Sequence, residues 1–374
     1  MKCINCGTDN NYKERVANSR RCKNCSQRFV FEPKTMLDVR FTDNFFAQLI
    51  SDLSANNTLK FTEQQLFYLL NKRLIKNAST SCLSSILTFW GFIFASIGIL
   101  FTRNTSGLII MSTGILMLFG GTAIYTYEKN KKVKKFLVTP QQFRVYLNNW
   151  QSVNPIDGIL TLSQQRLPSS INSDVTAYSF DRVVICDRAE VANLLIANNF
   201  HFENNCAVLS IDGYPANIFD TVMQMLRRNP DLKVYVLHDA SPKGVSVVNT
   251  LSNNPDWFSN TSVTINDVGL LPRQMFNNSN IFVQISEDFA TAAKELPLEI
   301  KQSLTEKEIQ WLEAGKYVEL ESFTPQKILR VITQGISKSR QFDTSSIFAD
   351  NGGSDFGSGS DPCDITIYAD DCFG

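Results

Sequence analysis

The sequence is poor in histidine, carries no net charge and contains one long stretch almost free of charged residues. Only two histidines occur in 374 residues, and neither a Ser/His/Asp catalytic order nor a histidine-based metal cluster is visible. No glycine-rich phosphate loop is present either. The 36 basic and 36 acidic side chains balance, which excludes an overall electrostatic attraction to nucleic acid. Any such attraction must therefore be local.

The charged residues are divided unevenly between the two ends of the chain. Residues 1–35 hold eight basic residues against three acids, whereas residues 341–374 hold seven aspartates and neither Lys nor Arg. Unlike charge blocks suggest distinct partners, or an interaction with each other. Residues 341–374 are also rich in Ser and Gly, so we expect a disordered acidic tail that offers a surface to a protein partner.

Four cysteines near the amino terminus form the most specific motif of the sequence. They follow the pattern CxxC–x15–CxxC: Cys3, Cys6, Cys22 and Cys25. Two close pairs give four thiolates at tetrahedral spacing, which suits Zn²⁺, and the metal supplies folding energy that so short a segment lacks. Residues 1–35 resemble the zinc ribbons that head many transposases and bacterial envelope proteins. A structural clip without a ligand is one interpretation; the basic loop 13–21 favours an anionic partner such as nucleic acid.

Residues 79–127 contain a single charged side chain, Arg103. The apolar runs Leu83–Phe101 and Leu108–Tyr125 are long enough for a hydrocarbon core of about 30 Å, so the segment predicts a transmembrane helical hairpin. Its glycines favour close helix packing. A buried hairpin in a soluble domain is the alternative.

Basic residues flank both ends of this hairpin. Lys72, Arg73 and Lys76 precede it, and a lysine-rich juxtamembrane segment and linker, residues 128–179, follows it. The positive-inside rule then predicts a two-span protein of the cytoplasmic (inner) membrane with both termini in the cytoplasm and the lipid bilayer as a partner. No signal peptide is visible, and cysteines in the cytoplasm are expected to be reduced.

Residues 180–340 alternate short apolar, β-branched runs with segments of helical period. The runs begin at Arg182, Cys206 and Lys233, and helices are expected between them. This alternation predicts βαβ units and an α/β domain with a parallel sheet. Asp187 and Asp239 follow the first and third strands. Because ligands collect at the carboxyl ends of parallel strands, the two acids are expected to share one site.

The motifs that follow these strands resemble the toprim domain of type IIB DNA topoisomerase A subunits and their meiotic double-strand-break relatives. The resemblance covers roughly Phe180–Gly335 and rests on Asp187, on the turn Asp212–Pro215 and on Asp239-Ala-Ser241-Pro242-Lys-Gly244. Later motifs, Val268–Pro272 and Tyr317–Pro325, continue it. The resemblance implies a Mg²⁺ site at Asp187 and Asp239 with DNA strand chemistry. In this chain Asp187 stands for the family's Glu and Ser241 for its second Asp, so Ser241 offers only a neutral oxygen.

Residues 36–78 form a helical, or winged-helix-like, segment. Thr62 and Gln65 are typical of a capping box that opens a helix. In the topoisomerase family a similar helix carries the DNA-attacking tyrosine, and the resemblance places Tyr68 at the matching position. The family's Arg four residues earlier is Gln64 here. A surface tyrosine on an amphipathic helix is the alternative interpretation.

The sequence is compatible with three functions. The first is a membrane-anchored zinc-ribbon protein that binds nucleic acid and has a degenerate toprim-like domain. The second is an active Mg²⁺-dependent, membrane-tethered DNA nuclease or transesterase that uses Tyr68, Asp187 and Asp239. The third is a membrane scaffold that binds proteins. The first is favoured, because Ser241 and Gln64 depart from the catalytic pattern.

Overall fold

The computed structural model describes residues 1–36, 39–78, 82–100, 105–129, 136–160, 181–216, 219–227, 229, 232–259, 263–276 and 281–349. The chain divides into two compact units. Unit one comprises Met1–Leu70 and Val138–Gly374, and unit two comprises Asn71–Leu137. Unit two is therefore an insertion in the sequence of unit one.

The helices are α1 (Tyr12–Ala17), α2 (Asp43–Leu53), α3 (Glu63–Ala78), α4 (Cys82–Leu100), α5 (Thr105–Lys129), α6 (Pro140–Gln151), α7 (Ala189–Ala197), α8 (Phe200–Asn204), α9 (Phe219–Arg227), α10 (Pro242–Asn253), α11 (Glu287–Lys294), α12 (Leu298–Ser303), α13 (Glu306–Glu313) and α14 (Pro325–Ala349). The strands are β1 (Phe61–Thr62), β2 (Ile159–Leu160), β3 (Arg182–Cys186), β4 (Ala207–Ser210), β5 (Lys233–Leu237), β6 (Thr264–Asp267), β7 (Gln284–Ile285) and β8 (Lys316–Tyr317).

The centre of unit one is a four-stranded parallel sheet in the order β4-β3-β5-β6. Alternate side chains of β3 enter two different cores: Val183 and Ile185 pack with α9 and α10, and Val184 and Cys186 pack with α7, α13 and α14. A sheet covered on both faces needs apolar residues at every position, which explains why its strands read as continuous apolar runs. The predicted parallel-sheet α/β architecture is confirmed.

An aromatic cluster joins the segment after the cysteine motif to helices α2 and α6. Phe31 stacks on Trp150 with ring centroids 5.9 Å apart, and Phe46 lies 5.0 Å from the same ring. Strand β1 pairs in parallel with β2, which brings Phe61 opposite Ile159. These contacts hold the two parts of unit one that flank the insertion.

The insertion contains α4 and α5, two helices that approach each other closely. A methyl group added at Gly98 would lie 2.5 Å from the Met111 nitrogen, and one at Gly114 would lie 2.4 Å from the Ala95 nitrogen. Only glycine fits at such contacts. The ends of the unit are also joined, because the Leu137 amide donates to Asn71 Oδ1 at 2.9 Å.

The predicted transmembrane hairpin is wrong. A span needs about 20 consecutive, predominantly apolar residues, and in the part of the chain that the structure describes no helix combines that length with that apolar character. The runs Leu83–Phe101 and Leu108–Tyr125 therefore do not support two membrane spans, and the predictions that depend on them fall as well. These are the inner-membrane localisation, the two-span topology with cytoplasmic termini, and the bilayer as a partner.

The carboxyl-terminal helix is longer than expected. Helix α14 continues to Ala349, past Gln341, where the sequence predicts the start of a disordered tail. Residues 350–374, the remainder of that predicted tail, lie outside the described residues.

Candidate metal centre and toprim-like site

The four amino-terminal cysteines converge on one point. All four sulfur atoms lie within 4.8 Å of one another, and Cys3–Cys25 and Cys6–Cys22 are each 3.6 Å apart. A tetrahedral Zn²⁺ with Zn–S bonds of about 2.3 Å separates its sulfurs by about 3.8 Å. The cysteines therefore fit a tetrahedral metal ion, as the sequence spacing predicts.

Two similar turns position the cysteines. Gly7 donates its N–H to the Cys3 carbonyl at 2.9 Å, and Ser26 donates to the Cys22 carbonyl at 3.0 Å. Both residues have a positive φ, which closes each turn around its sulfurs. Buried Asn10 holds the two turns together, since its amide nitrogen donates to the Thr8 carbonyl and its oxygen accepts from the Lys23 N–H.

The environments of the thiols differ. Hydrogen bonds to Thr8 lower the pKa of Cys6 to about 6, whereas burial raises the pKa of Cys3 to about 11. Metal binding requires thiolates. A cation bound at the centre of the cluster would supply the positive charge that favours deprotonation of Cys3.

The acids of the cysteine-rich segment are all engaged. Arg15 and Glu32 form a buried two-point ion pair, with nitrogen–oxygen distances of 2.8 and 2.9 Å. Glu14 lies 2.8 Å from Lys23, and Asp9 lies 2.7 Å from the Met1 amino nitrogen. Within the described residues 1–36, no ion pair of 4 Å or less joins an acid to the other basic side chains, and only the longer-range charge of Arg20 acts on Glu32 and that of Lys2 on Asp9: these side chains are Lys2, Lys13, Arg20, Arg21, Arg28 and Lys34.

Three of these side chains start from adjacent backbone. Arg21 lies opposite Arg28 in an antiparallel bridge, and the Phe29 N–H donates to the Arg20 carbonyl at 2.8 Å. All three arginines are exposed. Like charges directly opposite each other on paired strands are unfavourable unless an anion intervenes. We call Arg20, Arg21 and Arg28 the ribbon arginines.

The second site lies at the carboxyl ends of β3 and β5. Asp187 and Asp239 follow these paired strands, and the Asp239 N–H donates to Asp187 Oδ2 at 2.8 Å. The exposed fractions of the two residues are 2% and 6%. Burial raises the pKa of both carboxyls, and the neighbouring Asp187 raises that of Asp239 further. The structure thus brings together the two acids that the sequence singles out.

Ser241, the third residue predicted for this site, has another role. Its side-chain oxygen accepts from the Gly244 N–H at 3.0 Å and caps the amino terminus of α10. Gly244 is required there because an added methyl group would lie 2.0 Å from the Asp239 carbonyl oxygen.

A guanidinium group lies among the acids. Arg188 is 3.1 Å from Asp239 and 3.0 Å from Glu321, and its distance to Glu319 is 3.9 Å. Burial alone would lower the pKa of Arg188, but the surrounding carboxylates outweigh it and raise that pKa. The Leu320 N–H donates to Asp239 Oδ1 at 2.7 Å, so both oxygens of Asp239 have partners.

The acids do not fit a divalent cation as they stand. Among the described residues, the four cysteines form a group of three or more side chains that could hold one metal ion together. The acids around Arg188 do not form such a group. Asp239 and Glu321 instead hold the guanidinium. Asp187 Oδ1 is buried and has no hydrogen-bond partner among the described residues.

Tyr68 lies next to the same acids but is buried. Its exposed fraction is 2%; its hydroxyl donates to Glu319 and accepts from Gln284 Nε2. Burial, and then the Glu319 charge, raise the pKa of Tyr68. The capping box of α3 also connects to this site, because the Thr62 hydroxyl donates to Glu321 at 2.6 Å while the Thr62 N–H donates to Gln65.

The sequence interpretation missed Arg188, Glu319 and Glu321 as members of this site. Arg188 follows Asp187 directly at a strand end, and the two glutamates alternate within Tyr317–Pro325. A charged residue next to a candidate ligand was the available signal. The partners became visible only with the fold, since Glu319 and Glu321 are remote from Arg188 in the sequence.

Comparison with known families supports the α/β part of the chain. Residues 182–336 match the Toprim domain of the family that groups topoisomerase 6 A-subunits with Spo11. The match covers less than half of the chain, and it confirms the toprim resemblance inferred from the motifs. No curated protein matches the chain.

Proposed function

We propose that this protein binds nucleic acid through a zinc ribbon formed by residues 1–35. In this proposal Cys3, Cys6, Cys22 and Cys25 hold one Zn²⁺, and the ribbon arginines contact phosphates. The similarity of residues 182–336 to a domain of DNA-processing proteins supports nucleic acid as the ligand class.

One observation carries the proposal. The ribbon's three acids each form a close ion pair within the segment, while Arg20, Arg21 and Arg28 start from adjacent backbone and form no ion pair within 4 Å among the described residues. Such a cluster of cations attracts an anion, and each arginine that contacts a phosphate displaces a bound counter-ion from the nucleic acid. Because the chain carries no net charge, attraction to a polyanion has to come from local clusters of this kind.

The other two candidate functions make different demands. A metal-dependent nuclease requires a divalent cation at Asp187 and Asp239 and a reactive Tyr68. The guanidinium of Arg188 lies between the acids, and Tyr68 is buried with its hydroxyl hydrogen-bonded to two partners. The geometry therefore does not favour a metal-dependent nuclease. A protein-binding scaffold requires no phosphate contacts, so it predicts that the ribbon arginines have no effect on nucleic acid.

The test is a salt titration of binding with matched charge variants. Fluorescence anisotropy of labelled single-stranded DNA, duplex DNA and RNA is measured with the full-length, zinc-loaded protein. Changing Arg20, Arg21 and Arg28 to Gln should weaken binding at least tenfold and lower the salt slope by about one for each lost phosphate contact. The control changes three exposed residues of the α/β domain to Gln: Lys294, Lys307 and Arg330. It removes the same charge and should alter affinity less than twofold.

Two results would overturn the proposal. One is equal weakening by both triple variants, because the attraction would then be a general effect of charge. The other is no measurable binding of any of the three nucleic acids at low salt, which would favour the scaffold.

A further inference from the structure

The acids at the ends of β3 and β5 would repel one another without a counter-charge. Asp239, Glu319 and Glu321 lie around a single guanidinium, that of Arg188, and Asp187 adjoins Asp239, whose N–H donates to Asp187 Oδ2. Buried carboxylates of this kind require a cation, a proton or a metal ion to offset their mutual repulsion and the loss of hydration. In the matched family this part of the domain is where a magnesium ion is expected, so the identity of the cation decides what the site does.

The fold fixes the position of Arg188 in this site. Arg188 lies two residues after the last residue of β3, next to Asp187, and is the amino-terminal cap residue of α7, so its backbone is fixed between the strand and the helix. Its two terminal nitrogens are divided between the acids: one faces Asp239 and the other faces Glu321 and Glu319. The guanidinium therefore joins the strand ends to the segment 319–321.

Each of these acids is also held from its other side. Asp239 accepts from the Leu320 N–H, Glu321 accepts from Thr62, and Glu319 accepts from Tyr68. The carboxylates are thus oriented toward Arg188 by separate elements of unit one. Asp187 is the exception, because one of its oxygens lies buried without a partner.

We propose that Arg188 replaces the divalent cation of this site as a permanent internal counter-ion, and that removing its positive charge converts the acids into a site for Mg²⁺ or Mn²⁺. The natural protein then has no metal at this position under any divalent-ion concentration of the cell. Asp187, whose Oδ1 has no hydrogen-bond partner among the described residues, and the adjoining Asp239 supply hard oxygen ligands of the kind such an ion prefers, and water completes its coordination. This inference is independent of nucleic-acid binding by the ribbon.

The test measures Mn²⁺ binding to the full-length, zinc-loaded protein by electron paramagnetic resonance of the free ion, together with the melting temperature in Mg²⁺. The natural protein should bind no Mn²⁺ at this site, and its melting temperature should not respond to Mg²⁺. Arg188→Gln should bind one Mn²⁺ at least tenfold more tightly than the natural protein and should gain melting temperature with Mg²⁺. Arg188→Lys keeps the charge and should behave like the natural protein.

A second variant identifies the ligands. Adding Asp239→Asn to Arg188→Gln should abolish the new Mn²⁺ binding, because it removes one of the carboxylates.

Three outcomes would overturn the inference. The first is stoichiometric Mn²⁺ binding by the natural protein that Asp239→Asn abolishes, and this measurement does not depend on the folding of an Arg188 variant. The second is a folded Arg188→Gln protein that neither binds Mn²⁺ nor responds to Mg²⁺. The third is metal binding by Arg188→Gln that persists when Asp239 is changed to Asn.

Discussion

Changing Tyr68 to Phe tests whether Tyr68 is a structural residue or a nucleophile. The hydroxyl donates to the Glu319 carboxylate and accepts from the Gln284 amide, and the ring is buried. A hydrogen bond to a charged group contributes about 1.5–3 kcal/mol and a neutral one about 0.5–1.5 kcal/mol. Because the variant leaves both half-buried partners with an unmade bond, the free energy of unfolding of unit one should fall by about 2–4 kcal/mol.

The measurement is thermal unfolding of the full-length protein, followed by fluorescence and by calorimetry. For a domain of this size the expected loss corresponds to a fall in melting temperature on the order of 10 °C. Nucleic-acid affinity should remain within twofold of the natural protein, since the residue lies outside the ribbon.

Tyr317→Phe is the matched control. It removes a single hydrogen bond, from the Tyr317 hydroxyl to Gln284 Oε1 at 3.1 Å, on a half-buried residue. Its cost should be about 1 kcal/mol. The structural reasoning would be refuted if Tyr68→Phe melted like the natural protein while a Mg²⁺-dependent DNA cleavage activity disappeared. Tyr68 would then be the nucleophile that the topoisomerase resemblance implies.

Two further predictions concern the metal centre and the helical insertion. Cys22→Ser should reduce the zinc content, measured by elemental analysis, from one ion per chain to a small fraction, and it should abolish nucleic-acid binding. The control is Cys206→Ser, which changes a buried thiol outside the cluster and should leave the zinc content unchanged. Gly98→Ala should speed amide hydrogen exchange in α4 and α5, because the added methyl group would overlap Met111 and overpacking costs about 1–3 kcal/mol. The control is Gly120→Ala, at a position where nothing lies within 4 Å of the added methyl group. It should slow exchange, since Ala favours a helix over Gly by up to about 1 kcal/mol.

Local patterns were sufficient to predict the α/β sheet. Strands β3 and β5 are short, mostly apolar runs, each followed within two residues by an aspartate, and the fold buries both of their faces. The sequence therefore predicted where the two strands end and that Asp187 and Asp239 meet. The convergence of Cys3, Cys6, Cys22 and Cys25 likewise follows from spacing alone.

The counter-ion of the acidic site was not predictable in the same way. Arg188 meets Glu319 and Glu321 only because residues 319–321 pass beside the ends of β3 and β5, where the Leu320 N–H is hydrogen-bonded to Asp239. Neither period nor spacing encodes a contact between such distant segments. The membrane hairpin was mispredicted for a different reason: the prediction rested on the length of two apolar runs, and no helix among the described residues combines the length and the apolar character that a span needs.

The closed ends of the helical insertion have a consequence for how the chain tolerates changes of length. The Leu137 amide binds Asn71 Oδ1, and the pairing of β1 with β2 closes the chain again just outside the insertion. In the chain of unit one, the insertion is therefore equivalent to a loop whose two ends are already held next to each other. Doubling the length of a flexible loop costs only about 0.6 kcal/mol of closure entropy. Insertions or deletions of whole helical turns within α4 and α5 are thus thermodynamically inexpensive for the sheet and the acidic site, and this part of the sequence is free to vary in length while Arg188 and its acids stay in register.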